Sequence, residues 1–415
     1  MNTRKLLIGI GLVVVVVLLG VGIYFAFFRR PAVEAPPTPP PVNLVPVNAP
    51  PLLPIVNVAP PIPGALLPPT VNAPPAVAAL PPGVTTVAQG GRTFTAPLTD
   101  TPAHFVRIAS DGRPNFYDPT SGRFYRVGTD GKAVQLSERQ FPNVKTTAWS
   151  PKDDRAILEF PDGANVLYDF RSDRQVTLPA HWEDFSFSPT GTQIAGKSIG
   201  FDRENRFLFE AEPDGNGFRT IEPLGTNARR VDVSWSPNNQ VLAFARTGQV
   251  DLGDERQLVV AVGRHKENFP GITVEGQDFR PLWSPSGSRL LFSSVQSTND
   301  YKPELWVVGG VGDAIGRQRQ RLRIDTWADK CAFANDTTLY CAIPERLDRG
   351  AGLEPAVADT TPDRIERIDL ATGVRTTVGT PSEDASIAQL SVAPDGSALY
   401  FTSKQDGRLR EMKLR

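Results

Sequence analysis

Apolar side chains fall at every second position in Val231, Val233 and Trp235, stop at the polar stretch from Ser236 to Gln240, and resume in the apolar run VLAFA at 241–245. A period of two marks a half-buried strand, a short unbroken apolar run marks a buried one, and the Ser-Pro between them breaks the chain. The phrase predicts a β-hairpin. It returns as TTAWSPKDDRAILEF around Pro151, DFSFSPTGTQIAG around Pro189 and FRPLWSPSGSRLLF around Pro285, then more loosely as KCAFANDTTLYCA around Asn335 and QLSVAPDGSALYF around Pro394. A degraded copy, HFVRIASDGRPNFY, carries Ser110 and Gly112 at its turn. The anchors at 110, 151, 189, 237, 285, 335 and 394 lie between 38 residues apart (151 to 189) and 59 apart (335 to 394).

Two more strand-like runs follow each hairpin; in the second repeat 144–150 and 156–160 lead on to 165–170 and 175–179. Four-stranded units at this period, each hiding apolar faces against its neighbours, predict an all-β fold, a seven-bladed β-propeller with six blades as the alternative. The seventh repeat supplies three strands, and the run RTFTA at 92–96 is expected to complete it, closing the ring. Positions two and four before each anchor are mostly apolar, such as Phe185, Phe187, Val233 and Trp235, and are read as packing between blades. The intervening positions place Asp184, Asp232, Arg280 and Lys330 toward the central channel, where two acids and two bases are expected to compensate one another.

The N-terminal part of the chain has a different pattern. After a short tail, 1–5, the stretch 6–28 carries no charge and is long enough as a helix, about 34 Å, to cross a hydrocarbon core of about 30 Å. It ends in aromatic residues followed by Arg29 and Arg30, without a small-residue cleavage site, and so reads as an uncleaved single-pass transmembrane anchor. Arg4 and Lys5 favour a cytoplasmic N-terminus and an extracytoplasmic remainder. From 29 to 83 the chain is proline-rich with almost no charge, which predicts a disordered, extended stalk holding the globular part, 84–415, away from the membrane.

With 44 basic and 45 acidic side chains the chain has no surplus charge to attract a polyanion, and a nucleic-acid partner is excluded as an expectation. The two cysteines, Cys331 and Cys341, flank one hairpin turn. Directly opposite each other they would be close enough for a disulfide, while their apolar counterparts in other repeats fit two buried thiols equally well. The search for chemistry finds neither a nucleophile elbow nor a phosphate-cradling glycine loop, and His104, His181 and His265 occupy unrelated positions in their repeats. No catalytic residue, metal ligand or cofactor follows.

Insertions carry a stronger signal. The connections between the second and third strands lengthen at 201–205, 247–257, 296–303 and 345–362, and such loops emerge on one face of a propeller, where recognition is usual. They place Asp202, Arg203, Asp254, Arg256, Asp300, Tyr301, Lys302, Arg346, Asp348 and Arg349 on a mildly acidic docking face.

The turns WSPKD at 149, FSPTG at 187, WSPNN at 235, WSPSG at 283 and APDG at 393 resemble the TolB-type propeller repeat, whose consensus is roughly WSPDG before an apolar strand. The resemblance covers about 104–415 and implies the propeller fold. That repeat family spans periplasmic scaffolds, propeller caps of serine peptidases and a few lyases, so it implies no single activity and no site residues. The expectation is a non-catalytic, membrane-anchored scaffold that binds another cell-envelope protein or a glycan. The alternatives are a glycan-active lyase or hydrolase with its site at the channel mouth, and a structural spacer with no specific ligand.

Overall fold

A computed structural model describes residues 80–415 apart from 249, 252–254 and 268. The expected anchor, nearly all of the stalk and Asp254 lie outside the described residues.

The Ser-Pro turns explain the repeat. In the third, fourth and fifth units the buried serine accepts, through its carbonyl oxygen, the N–H three residues on: Gly191 to Ser188 at 2.9 Å, Asn239 to Ser236 at 2.9 Å and Gly287 to Ser284 at 2.8 Å. The serine hydroxyl oxygen then accepts the N–H that opens the next strand, from Gln193 at 3.1 Å, Val241 at 2.8 Å and Arg289 at 3.1 Å. Proline presets the turn, and the second residue after it has a positive φ, 72° at Gly191 and Gly287 and 63° at Asn239, which glycine and asparagine tolerate. This chemistry, repeated, is the legible phrase.

The described residues form seven sheets, each beginning with an innermost strand. Blade one is His104–Ile108, Pro114–Asp118, Arg123–Val127 and Ala133–Gln135. Blade two is Thr146–Trp149, Arg155–Glu159, Asn165–Asp169 and Arg174–Leu178, and blade three Trp182–Phe187, Ile194–Ile199, Arg206–Ala211 and Arg219–Pro223. Blade four joins Val231–Val233, Val241–Ala245 and Arg256–Gly263, with Val250–Asp251 and Ile272–Glu275 both paired to the third of these. Blade five runs Gln277–Trp283, Arg289–Val295, Pro303–Gly309 and Gln320–Arg321. Blade six is Cys331–Phe333, Thr338–Pro344, Asp363–Asp369 and Arg375–Pro381, and blade seven Ile387–Val392, Ala398–Ser403 and Leu409–Lys413.

Seven clusters of buried apolar side chains fill the seven seams between neighbouring blades. Trp149 and Phe170 join Tyr117 and Phe124 between blades one and two, while Phe185 and Phe187 lie between two and three and Trp235 between three and four. The recurrent aromatics are core. The innermost strands are also stitched by polar groups: Val233 N–H donates to Asp184 at 2.9 Å, Trp235 N–H to Ser186 Oγ at 3.0 Å, and the Trp283 indole to Ser234 Oγ at 3.1 Å.

Closure departs from the expectation in one respect. The 92–96 run does not act as one strand. Arg92–Thr93 pairs in parallel with Thr380 and Pro381 at the outer edge of blade six, and Thr95–Pro97 pairs antiparallel with Met412, Glu411 and Arg410 to become the fourth strand of blade seven. Phe94, between them, is the crossing point from one blade to the next.

Cys331 and Cys341 face each other across the hairpin of blade six, with Cα atoms 4.1 Å apart, and are joined by a disulfide. The bond lies within the apolar layer shared with blade five.

Candidate functional site

Connections from second to third strand, and from one blade to the next, share one rim of the ring. The 3-10 turn Arg203–Asn205, of the first kind, touches the 3-10 helix Gly225–Arg230, of the second.

The largest structure on this rim is the loop 345–362. Gly350 N–H donates to Asp300 O and Gly352 N–H to Tyr301 O, both at 2.8 Å, so the loop lies on the corresponding loop of blade five. Approach is so close that a Cβ at Gly352 would stand 2.7 Å from Tyr301 O. Farther on, the Ser386 hydroxyl donates to Ala358 O at 3.3 Å and Lys404 pairs with Asp359, tying the loop to blade seven. Its own Ala351 and Ala358 are buried. It is a strap across three blades, and shortening it would remove packing as well as surface.

Among the loop residues singled out from sequence, Arg256 and Tyr301 come together with Glu255, Gln257, Gln277 and Val295 around a cavity of about 380 Å³. Arg256 pairs with Glu275 at 2.9 Å, and Asp300 and Tyr301 both adopt left-handed φ angles of 54° at the end of a 3-10 turn, with Lys302 half-buried beside them. Asp202 and Arg203 are exposed on blade three. Arg346 and Asp348 pair with each other at 3.5 Å on blade six, where Arg349 is exposed as well.

The four charges assigned to the channel do not compensate one another. Asp184 pairs with Lys197 of its own blade at 3.2 Å, Asp232 with Arg246 at 3.1 Å, and Arg280 with Asp278 at 2.9 Å and Asp329 at 3.2 Å. Lys330 is buried, not channel-lining: it closes the 3-10 turn Ala328–Lys330 and reaches Asp363 Oδ2 at 2.7 Å, an oxygen that also accepts the Ile387 N–H at 2.6 Å. Burial lowers the Lys330 ammonium and raises the Asp363 carboxyl from their ordinary values, and their mutual attraction opposes both shifts. Burial also raises the Asp232 carboxyl, against the pull of Arg246.

A second cavity, of about 630 Å³, opens on the same rim between blades four, five and six. Arg229 and Arg230 from the 3-10 helix, Arg246 from the end of the blade-four hairpin and Arg280 from the innermost strand of blade five line it, with Asp278 as the one acid in the lining. Gln257 and Gln277 add amides, and Gly352, Leu353 and Pro355 of the strap form an apolar wall. The expected acidic character of the face is therefore wrong at this cavity. Counting only second-to-third-strand loops left out the inter-blade connection, although the pair Arg229-Arg230 stands directly before VDVSWSP and Arg246 directly after its hairpin. Among the described residues no three His, Cys, Asp or Glu side chains are grouped as metal ligands would be.

No family model matches the chain, and no curated protein matches its sequence. Solved structures do resemble it. The β-propeller domain of Cps50 (Swd1) from Myceliophteria thermophila is 11% identical with a TM-score of 0.53, covering 78% of this chain and 100% of that one. An oligogalacturonate lyase in complex with manganese is 15% identical with a TM-score of 0.53, covering 77% of this chain and 93% of that one. The tricorn protease, 12% identical with a TM-score of 0.51, shares a region covering 77% of this chain and 34% of its own. At such identities the likeness shows the fold alone, and what these comparisons and the seven sheets establish is a seven-bladed β-propeller.

Proposed function

We propose that the chain is a non-catalytic binding scaffold, a TolB-like propeller held by its N-terminal anchor outside the cytoplasm, which docks another envelope protein or a glycan on the rim carrying the strap. The observation that supports this reading most is that three strongly exposed apolar side chains lie on connections of that rim: Phe201 is 98% exposed, Val357 55% and Leu353 50%. Leu353 also lines a cavity on that rim, and apolar side chains left in water beside a cavity are a usual mark of a contact surface. The anchor rests on the uncharged stretch 6–28 and its orientation on Arg4 and Lys5.

Because the strap is packed at Ala351 and Ala358, the test uses exposed positions. Crosslinking the full chain in its native membrane should recover a partner, and Phe201→Ser with Val357→Asp should abolish recovery without moving the melting midpoint. Unchanged recovery from the doubly substituted chain would overturn the rim as the docking surface.

A further inference from the structure

The arginine-lined cavity deepens this reading and rests on it. Four guanidinium groups converge on one opening, and they fall into two kinds. Arg246 is clamped by Asp232, with Nε 3.1 Å and Nη2 3.2 Å from the two carboxylate oxygens, and Arg280 is held between Asp278 and Asp329. Those two are already neutralised and fixed in place. Arg229 and Arg230 are exposed, and neither side chain has an acidic partner among the described residues.

Adjacent unpaired guanidiniums repel each other, and a bound anion would relieve the repulsion. The planar fork of arginine fits the two oxygens of a carboxylate, which a compact ammonium group would not. The facing wall is aliphatic, with Leu353 half-exposed and Pro355 beside it, and no aromatic ring lines the cavity for a sugar to lie on. Gln257 and Gln277 offer amides that can both donate to and accept from an extended main chain. Carboxylate, apolar side chain and peptide amide are therefore matched within one opening.

We propose that this cavity binds an acidic peptide segment of the partner protein, with a carboxylate held by Arg229 and Arg230 and a neighbouring apolar side chain against Leu353. The clamped pair Arg246 and Arg280 form the fixed floor; the free pair supply the affinity that depends on ligand charge.

The test is fluorescence anisotropy on the detergent-solubilised full chain with three probes: a capped peptide alternating glutamate and leucine, its glutamine counterpart, and a uronic-acid oligosaccharide. The acidic peptide should bind at least about tenfold more tightly than the other two. Its affinity should fall as salt rises from about 0.1 M to about 1 M, where the screening length shrinks from about 10 Å to about 3 Å. Arg229→Ala with Arg230→Ala should remove that advantage while leaving the melting curve in place, because both side chains are exposed and unpaired. Equal binding of the glutamine peptide, oligosaccharide binding as tight as the acidic peptide, or unchanged affinity in the double variant would each overturn the proposal. If the peptide fails while the Phe201 and Val357 substitutions still abolish crosslinking, the rim stands and only this cavity's role falls; if crosslinking survives those substitutions, the rim itself is wrong.

Discussion

The side-chain amide of Gln389 donates to the main-chain oxygen of Val106 at 2.8 Å, joining the innermost strand of blade seven to that of blade one. This is the seam where a ring of repeats must shut. It is reinforced at the outer edge by Thr95–Pro97 and by Thr99, whose hydroxyl accepts the N–H of Leu409 at 3.0 Å.

Removing residues 84–98 should therefore destabilise the whole ring, exposing the edge of blade seven and stripping the added strand from blade six. Chemical denaturation of the truncated chain should show a lowered midpoint, and an unmoved midpoint would refute this account of closure. Gln389→Leu tests the inner half of the seam alone and should cost about 1 kcal/mol.

Lys330→Met should be far more damaging than its surface counterparts. It leaves the Asp363 carboxylate buried without its cation, a situation that costs about 3–5 kcal/mol. Adding Asp363→Leu should recover much of the loss in a urea titration, because two apolar groups of similar size can replace a buried ion pair; failure to recover would show that the Ile387 hydrogen bond, not the ion pair, is the main contribution.

Glu210 gives the acid limb of the stability profile. Burial alone would raise its carboxyl, but hydrogen bonds from Arg264 and Arg219, at 2.6 Å and 2.7 Å, outweigh burial and hold it below the ordinary value of 4.5. A depressed folded-state value means stability that is present above pH 4.5 and lost as pH falls through the lower, folded value. Glu210→Gln should be less stable than the native chain at neutral pH and converge with it in acid. Parallel melting curves across that range would contradict the assignment.

The disulfide closes a loop with a sequence separation of 10, so reducing it frees little chain in the unfolded state. The expected cost is about 2–3 kcal/mol. Denaturation with and without reductant measures it, and because the bond is buried, reduction should be slow until blade six opens.

The hairpins were legible because each contains its own instructions: a serine whose hydroxyl finishes the turn, a proline that presets it, and a residue that tolerates positive φ, as at Ser236, Pro237 and Asn239. The N-terminal closing strand was legible as a strand, but not its division at Phe94, since pairing with Pro381 and with Met412 depends on partners nearly 290 and over 310 residues away. Lys330 was misplaced because counting back from the turn assumes a continued strand, whereas the chain enters that position through a 3-10 turn covered by blade seven. The arginine cavity was missed because its walls come from three blades and an inter-blade connection, a proximity no local pattern records.

The crossing at Phe94 also sets a timetable. Thr93 and Thr95 lie near the beginning of the globular part, yet their neighbours Pro381 and Met412 are synthesised nearly 290 and over 310 residues later. During synthesis the first segment must wait, unpaired, until Pro381 and then Met412 have emerged, and such distant pairing slows folding. The circle is completed by strands from both sides of the repeat array, and a nascent chain halted before residue 409 would hold an open arc with one strand still unclaimed.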